Sequence, residues 1–285
     1  MKTNWFTWIL FFPLINVAVA QQPNTTNVVP KSAKSSAPDW TTLRELTPEE
    51  EKFEDTKAKA EKGDAIAQLN LGFSYENGDG IAKDKIEAMK CYRKAAEQNY
   101  APAQCYLGAC YENGLNVAED DAEAVKWYRK AAEQNNALAQ CNLGSCYDKG
   151  RGVAKDEVEA AKWFRKAAEQ NDAKAEYDLG ICYENGQGVL KDYSEAAKWY
   201  RKAAEQNYPS AQYNLGVFCA NGDGGTKDEV EAYKWIILAA RQGDQSAKNV
   251  LSILNGAMSP EQIKEGKQRA NDWLEQYKKT SAGGQ

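Results

Sequence analysis

Pairs of carboxylates recur in this chain at a spacing that suits two kinds of role. An aspartate is followed three residues later by a glutamate at five positions that are spaced thirty-six residues apart. Two acids on one helix face suit general acid–base catalysis, but the same spacing forms a capping box at a helix start. Because the pair recurs at a fixed interval, we interpret it as structural. The pairs are Asp84 and Glu87, Asp120 and Glu123, Asp156 and Glu159, Asp192 and Glu195, and Asp228 and Glu231.

Glycine-rich segments precede these helix starts and match phosphate-binding loops in composition. A phosphate-binding loop needs its glycines to be followed by Lys and then Ser or Thr. That continuation is missing here, and the spacing of the glycines differs. We therefore predict turns with positive φ, in which Asn116 replaces glycine once because Asn tolerates the left-handed region. The glycines are Gly78 and Gly80, Gly150 and Gly152, and Gly186 and Gly188.

Seven cysteines and no histidine limit the nucleophilic and metal chemistry of the chain. Without histidine, a catalytic thiol or hydroxyl lacks its usual general base, and the commonest metal ligand is missing. No C-x-x-C spacing occurs, so we predict no metal site, no cofactor and no enzymatic activity. We interpret the thiols as small buried apolar groups. A disulfide from Cys91 to a cysteine of the following helix stays open as an alternative.

These residues recur because a unit of thirty-six residues repeats five times, beginning at Ala65. A period of this length is typical of an all-α solenoid, in which one helical hairpin stacks on the next. Glycine inside a helix destabilises it by ~1 kcal/mol, so its recurrence in the first helix predicts close approach of the second helix. These glycines are Gly72, Gly108, Gly144, Gly180 and Gly216.

The chain divides into a leader, a solenoid and capping segments. Lys2, an apolar run and Ala18-Val19-Ala20 predict a signal peptide at 1–20 that is cleaved after Ala20. Residues 21–40, rich in Asn, Thr, Ser and Pro, predict a disordered tether. The other predicted segments are an N-terminal capping helix at 41–64, repeats at 65–100, 101–136, 137–172, 173–208 and 209–244, capping helices at 245–277 and a disordered tail at 278–285.

The charge balance excludes one class of partner. The formal net charge is −5, and Lys and Arg are not clustered on one segment. Nucleic acids and anionic membranes are bound by clustered basic residues. We therefore predict no nucleic-acid partner, and no insertion into a membrane once the signal peptide has been removed.

The repeat resembles a known family. The pattern A-x-A-Q-x-x-L-G-x-x-Y-x-x-G-x-G-V, followed by D and then E-A-x-K-W-Y-x-K-A-A, is similar to the Sel1-like repeat, a relative of the tetratricopeptide repeat. The resemblance covers about residues 57–277 and implies a right-handed superhelical solenoid of antiparallel helix pairs. The fifth copy departs at Phe218-Cys219 and at Gly225, which predicts looser packing there. Ala96 and Gln104 stand where a cysteine-rich bacterial branch of the family places a disulfide.

The same resemblance implies where a partner binds. In tetratricopeptide-like arrays the first helices line the concave face, and the second, fifth, sixth, ninth and twelfth positions of each point outward. Asparagine holds the backbone of an extended peptide, tyrosine gives contact area, and acids favour a basic segment. The predicted partner-binding residues are Leu69, Asn70, Phe73, Glu76, Tyr106, Glu112, Asn142, Ser145, Asp148, Tyr177, Asp178, Ile181, Glu184, Tyr213 and Asn214.

The resemblance also sets the functional expectation. Family members are adaptors or scaffolds, so we expect a non-catalytic protein that binds a peptide or protein segment and is exported by a bacterium to the periplasm or beyond. One alternative is an envelope protein that binds or hydrolyses peptidoglycan or β-lactams, as in the cysteine-rich branch. No serine here is followed three residues later by lysine, so the serine β-lactamase motif is absent. The other alternative is a passive structural spacer.

Overall fold

A computed structural model describes residues 46–282, and this part contains thirteen α-helices and no strand. The predicted signal peptide and tether lie outside the described residues. The helices are α1 (Pro48–Glu61), α2 (Ala65–Asn77), α3 (Lys85–Glu97), α4 (Ala101–Asn113), α5 (Asp121–Glu133), α6 (Ala137–Lys149), α7 (Glu157–Ala168), α8 (Ala173–Asn185), α9 (Tyr193–Glu205), α10 (Pro209–Asn221), α11 (Glu229–Arg241), α12 (Gln245–Ala257) and α13 (Pro260–Ala282).

Each thirty-six-residue unit folds into a helical hairpin, which confirms the predicted all-α repeat architecture. The first helix of each hairpin ends at a glycine in the left-handed conformation, as at Gly114 with φ 64°. Asn116, the predicted replacement for glycine, also has positive φ, at 60°. Each second helix packs on its own first helix and on the first helix of the next unit. The first helices are α2, α4, α6, α8 and α10, and the second helices are α3, α5, α7, α9 and α11.

The glycine inside each first helix is required by the second helix. The Tyr128 side chain of α5 is fully buried against Gly108 of α4. A Cβ added at Gly108 would lie 2.7 Å from Tyr128 Cδ1 and 3.2 Å from the Ala124 carbonyl oxygen, closer than van der Waals contact allows. The predicted close approach is therefore confirmed. The residues that pack on the five glycines are Tyr92, Tyr128, Phe164, Tyr200 and Ile236.

The aspartates before the second helices cap them, but the full capping box does not form. Asp84 Oδ1 accepts hydrogen bonds from the backbone amides of Ile86 and Glu87, as predicted. The Asp84 amide instead donates to the carbonyl oxygen of Tyr75 in the first helix, at 2.9 Å. Because that amide is already occupied, Glu87 pairs with Lys90 at 2.5 Å. The backbone bond from the Asp84 amide to the Tyr75 carbonyl oxygen joins the two helices of the hairpin, and an equivalent bond is present in all five units.

A buried glutamine in four of the first helices bonds both the helix before it and the helix after it. Gln104 of α4 donates from Nε2 to the Ala96 carbonyl oxygen at the end of α3, at 3.1 Å. Its Oε1 accepts from Nε2 of Gln134, the residue after α5, at 2.7 Å. The side chain is 2% exposed, so both of its polar atoms need these partners. Gln68, Gln140 and Gln212 repeat the arrangement.

The fourth unit carries a glutamate at this position. Glu176 is 1% exposed and accepts from Gln206 Nε2 at 2.7 Å. A charged carboxylate has no proton to donate to a carbonyl oxygen, as the glutamine Nε2 does in the other units. Burial raises the pKa of Glu176 to about 7, while Gln206 and Lys202 oppose the rise. Asp172 and Glu205 add to the rise.

The C-terminal helix is longer than the sequence predicts. α13 runs to Ala282, so residues 278–282 of the predicted disordered tail are helical. No proline or glycine interrupts α13 after Gly266, and the Thr280 hydroxyl donates to the Gln276 carbonyl oxygen at 3.2 Å. α13 packs on α11, where Trp273 contacts Trp235 with ring centroids 5.5 Å apart. Between residues 46 and 282, no helix combines the length and apolar character needed to span a bilayer.

We predict that Gly108→Ala destabilises the array. The added methyl overlaps Tyr128, and such overpacking lowers the free energy of unfolding by about 1–3 kcal/mol. Gly256→Ala is the matched control, because a Cβ at this helical glycine meets no atom within 4 Å. The control should raise the free energy of unfolding by about 0.5–1 kcal/mol through helix propensity alone. Urea denaturation followed by circular dichroism measures both, and equal effects of the two substitutions would contradict the steric explanation.

We also predict that Glu176→Gln removes a pH dependence of stability. The pKa of Glu176 is higher in the folded protein than in the unfolded chain. Its contribution to the free energy of unfolding is therefore present in acid and is lost as pH rises through about 7. The substitution should therefore have little effect near pH 4 and raise the free energy of unfolding by up to about 3 kcal/mol above pH 8. Urea denaturation across this pH range measures the difference between the two proteins.

The third unit offers a matched control for this prediction. Gln140→Glu places the same acid in an equivalent buried position and should create the same loss of stability with rising pH. A constant difference between wild type and Glu176→Gln at every pH would show that Glu176 does not titrate in this range.

Candidate functional site

The predicted partner-binding residues lie on the surface of the first helices, which we call the first-helix face. Thirteen of the fifteen are half-buried and Asn70 is exposed. Leu69 does not belong to the surface, because its side chain is only 8% exposed. It packs with Ala103 and Leu107 of the next unit. The fifth position of the first helix therefore faces the neighbouring hairpin, where Cys105 and Cys141 are also buried.

The acidic row is formed by the acids at the twelfth position of the first helices, Glu76, Glu112, Asp148 and Glu184. Three of these four acids form hydrogen bonds within the protein. Glu76 Oε2 accepts from the hydroxyls of Tyr92 at 2.6 Å and Tyr106 at 2.7 Å. Glu112 accepts from Tyr128 and also pairs with Arg151. Glu184 accepts from Tyr200. These carboxylates hold the tyrosines that pack on the interior glycines, so they are less available to a partner than the sequence suggests.

The sequence contains a pattern that could have predicted this glutamate–tyrosine pairing. The tyrosine stands sixteen residues after the glutamate in the first, second and fourth units. In the third unit the acid is Asp148 and the later residue is Phe164, which has no hydroxyl. In the fifth unit both polar groups are lost, with Ala220 and Ile236. Glutamate and tyrosine therefore occur together, and a unit that lacks one of them also lacks the other.

Asp148 is the acid in this row that stays open to a partner. Within residues 46–282 it makes no hydrogen bond and no ion pair, and it is half-buried. The half-buried Asn142 amide on the same helix, α6, is also without a hydrogen bond in this part of the chain. The third unit therefore presents an unpaired carboxylate and a free amide on one helix of the first-helix face.

A polar cluster beside them links α6 and α8. Lys174 Nζ lies 3.0 Å from Asp178 Oδ2, 3.3 Å from Ser145 Oγ and 3.3 Å from Cys141 Sγ. The sequence analysis missed Lys174, although its position four residues before Asp178 is the spacing of a helical ion pair. Burial raises the pKa of Asp178, and the Lys174 ammonium opposes the rise. Asp178 is therefore held by Lys174 rather than free to bind a partner.

The aromatic members of the predicted set pack on neighbouring rings. Phe73 contacts Tyr106 with ring centroids 4.8 Å apart. Tyr177 lies 5.3 Å from Tyr208 and 5.8 Å from Tyr200, measured between ring centroids. These half-buried rings are fixed by their contacts with one another. They form part of the first-helix face and also pack against the core. The remaining members, Ile181, Tyr213 and Asn214, are half-buried on α8 and α10.

The thiols lie in surroundings that disfavour the reactive thiolate form. All seven cysteines are free, so a disulfide from Cys91 is not formed, and six of them are buried. Burial raises the pKa of Cys141 to about 12 although Lys174 opposes the rise, and it raises that of Cys146 to about 11. A thiol that stays protonated at neutral pH is a poor nucleophile. The described residues also contain no group of three or more side chains placed to hold a metal ion.

Comparisons with known proteins agree with this architecture. A family model described as Sel1 repeat matches residues 65–100, 101–136, 137–172, 173–208 and 209–244. The comparison with curated proteins found no match.

Solved structures that are similar to the chain include two Sel1-type repeat proteins. The Sel1 repeat protein from Oxalobacter formigenes is 36% identical, with a TM-score of 0.68 over 80% of this chain and 91% of that protein. The protective antigen c5321 of uropathogenic Escherichia coli, described as displaying an SLR fold, is 34% identical with a TM-score of 0.56. The match covers 79% of this chain and 56% of that antigen.

We predict that native alkylation modifies one thiol. Cys219 is half-buried, whereas the other six cysteines are buried. Iodoacetamide at mildly alkaline pH should therefore label Cys219 first and leave the others unmodified until the chain unfolds. Mass spectrometry of peptides from the native and urea-unfolded protein locates the label, with Cys219→Ser as the control. Early labelling of Cys141 would contradict the assignment of the buried thiols as inert.

Proposed function

The chain belongs to the Sel1 repeat family, and from that membership we propose that it is a non-catalytic adaptor or scaffold that binds an extended protein segment along the first-helix face. Sel1 repeats generally mediate protein–protein interaction. The observation that carries the proposal for this chain is the third unit, where Asn142 and Asp148 remain unpaired while equivalent acids in other units are bonded internally.

The chemistry of these two side chains defines the segment that would fit. An asparagine amide offers two donors and an acceptor, which match the peptide groups of an extended chain whatever its sequence. The Asp148 carboxylate favours a lysine or arginine on that segment. The neighbouring Lys149 is exposed and lies at the end of α6. We therefore propose that Asn142 binds the backbone of the segment and that Asp148 binds a basic side chain.

The rigidity of the surface supports binding to a preformed site. Tyr177 packs on Tyr200 and Tyr208, and Lys174 bridges α6 and α8 through Asp178 and Ser145. A side chain that is already fixed loses little entropy when a partner arrives. The first-helix face around α6 and α8 therefore suits recognition of a segment without rearrangement of the array.

The absence of catalytic function is part of the proposal. The thiols are buried with raised pKa values, and the sequence holds no histidine to activate a nucleophile. The competing proposal of a β-lactam-binding or peptidoglycan-binding envelope protein predicts hydrolysis or saturable binding of a chromogenic β-lactam. We propose instead that the mature protein leaves such a compound unchanged.

We also propose that the protein is exported in a bacterium, to the periplasm or the medium. The support is the leader formed by Lys2, the apolar run and Ala18-Val19-Ala20. Intact-mass measurement of the protein recovered from the envelope fraction or medium tests this, because the mature chain should begin at Gln21. That material is also the correct form for binding experiments.

The experiment that tests the binding proposal compares Asn142→Ala/Asp148→Ala with wild type in a crosslinking pull-down from the native envelope fraction. Loss of the amide and the carboxylate should remove at least one protein that wild type retains. Binding should also weaken at high salt, because the contact to Asp148 is an exposed ion pair that salt screens.

The matched control is Glu97→Ala/Glu133→Ala, two exposed acids at the ends of second helices. This control should retain the same proteins as wild type, and circular dichroism should show all three proteins to be folded. Equal retention by the Asn142→Ala/Asp148→Ala variant would move the binding surface away from the first-helix face. The absence of any retained protein would favour a passive structural spacer.

A further inference from the structure

A regular contact joins the second helix of one unit to the first helix of the next. Arg129 of α5 donates from a terminal nitrogen to the Tyr147 hydroxyl of α6 at 2.6 Å. Its guanidinium carbon lies 5.8 Å from the Tyr147 ring centroid. Arg93 makes the same bond to Tyr111 at 2.7 Å, and Arg165 to Tyr183. Three interfaces therefore hold a tyrosine ring between an arginine and the hairpin core.

The fourth interface has the arginine without the tyrosine. Arg201 of α9 stands at the arginine position, but α10 carries Cys219 where the other first helices carry tyrosine. Arg201 makes no hydrogen bond within the described residues, and its one ion pair, to Glu231 Oε1, is 3.9 Å long. The donors that each of the other arginines directs at a tyrosine hydroxyl are therefore unused here.

A second departure removes volume from the same place. Gly225 stands where the loops of the third and fourth units carry Val153 and Val189, which pack on the cores of their units. A Cβ built on Gly225 would meet no atom within 4 Å. The two substitutions open a cavity of about 260 Å³ that both Cys219 and Gly225 line. This is the unit in which the sequence predicts looser packing.

The walls of this cavity suit an aromatic ring. Leu215 and Phe218 of α10 contribute apolar surface, and Ala197 of α9 lies opposite on the preceding unit. Arg201 lines the cavity together with Thr226 of the loop. The cavity volume exceeds that of a phenol ring, and its mouth is open to solvent because Arg201 is 47% exposed. The site therefore combines apolar surface on one side with the Arg201 guanidinium, whose one ion pair within the described residues is the long contact to Glu231.

The charges around the cavity select a neutral polar group. Glu231 accepts from Lys234 at 3.0 Å and from Trp235 Nε1 at 2.8 Å. Asp228 caps α11. Asp223 lines the cavity as well, so a carboxylate ligand would be repelled by three acids, while an ammonium would be repelled by Arg201. A hydroxyl accepts from Arg201 and carries no charge, so it meets neither repulsion.

We propose that this cavity, the Arg201 pocket, binds the 4-hydroxyphenyl side chain of a tyrosine presented by a partner protein. The ring would occupy the space that Tyr111, Tyr147 and Tyr183 fill in the other interfaces, with its hydroxyl accepting from Arg201. The chain itself shows three times which group fits between this arginine and a hairpin core. The pocket uses none of the residues assigned to the proposed segment-binding surface, so it stands independently of that function.

The first experiment titrates the mature protein with N-acetyl-L-tyrosinamide. Chemical shifts of the amides of Gly224, Gly225 and Thr226 report occupation of the pocket in a nitrogen-15-labelled sample. These shifts should move and saturate, and N-acetyl-L-phenylalaninamide, which lacks the hydroxyl, should bind roughly tenfold more weakly. No saturable shift with the tyrosine amide, or equal binding of the phenylalanine amide, would overturn the proposal.

Two variants locate the binding. Cys219→Tyr restores the internal tyrosine, so it should raise the midpoint of thermal unfolding and abolish the titration shifts. Arg201→Ala should keep the fold and weaken binding of the tyrosine amide roughly tenfold, because a charged donor is lost. Arg165→Ala is the matched control, since Arg165 bonds an internal tyrosine at another interface and should leave binding unchanged.

A further variant covers the possibility that Cys219→Tyr disturbs the interface. Gly225→Val fills the loop side of the pocket, in open space that a Cβ does not clash with, and should also reduce binding. Retention of full affinity in a folded Cys219→Tyr or Gly225→Val protein would place the bound amide elsewhere and overturn the proposal. The Asn142→Ala/Asp148→Ala variant should bind the tyrosine amide as wild type does, which separates failure of this site from failure of the proposed function.

Discussion

The packing of one large side chain on one glycine fixes the geometry of every hairpin. The second helix comes so close to Gly108 and its equivalents that a methyl group at these positions overlaps the ring or side chain above it. The glycine weakens its own helix, and burial of a tyrosine, phenylalanine or isoleucine offsets that effect. The other contacts of the unit follow from this approach. The bond from the Asp84 amide to the Tyr75 carbonyl needs the two helices at this separation, and so does the tyrosine–glutamate bond.

Polar groups of the first helices take part in packing more than the sequence suggests. The twelfth residue of the first helix is an acid in the first four units and suggests an acidic surface row, yet in three of these units it holds the tyrosine that packs on the glycine. In the third unit Phe164 removes the hydroxyl while the acid remains, so Asp148 is left unpaired. The buried Gln104 likewise serves two contacts, because its side-chain amide bonds the end of α3 and the residue after α5. Differences among otherwise equal units therefore show where a polar side chain is left without an internal hydrogen-bond partner.

The sequence predicts the fold well because its signals are local. Period, capping aspartates and interior glycines each act within one unit, and five copies make them unambiguous. Predictions of the surface are weaker because exposure depends on the neighbouring unit. The outward fifth position, taken from tetratricopeptide repeats, fails at Leu69 because this side chain packs on Leu107 of the next hairpin. The amide of Asp84 was expected to donate to the Glu87 carboxylate, but it donates instead to a carbonyl oxygen of the other helix. Lys174 was missed because no earlier unit has lysine at its position, although Asp178 four residues later marks the pair.

The packing of α13 on α11 has a consequence for how such a chain can change length in evolution. Tyr233 packs on Gly266 and Trp235 on Trp273, so the last hairpin is covered by a helix that is not part of the repeat. The interfaces that join the first three units, by contrast, are interchangeable, since both present a buried glutamine and an arginine–tyrosine pair. A gene duplication of one whole unit in the interior would therefore meet matching surfaces on both sides, while a duplication at the C-terminal end would not. Growth of the array would lengthen the first-helix face and leave the Arg201 pocket at a constant distance from the C-terminal cap.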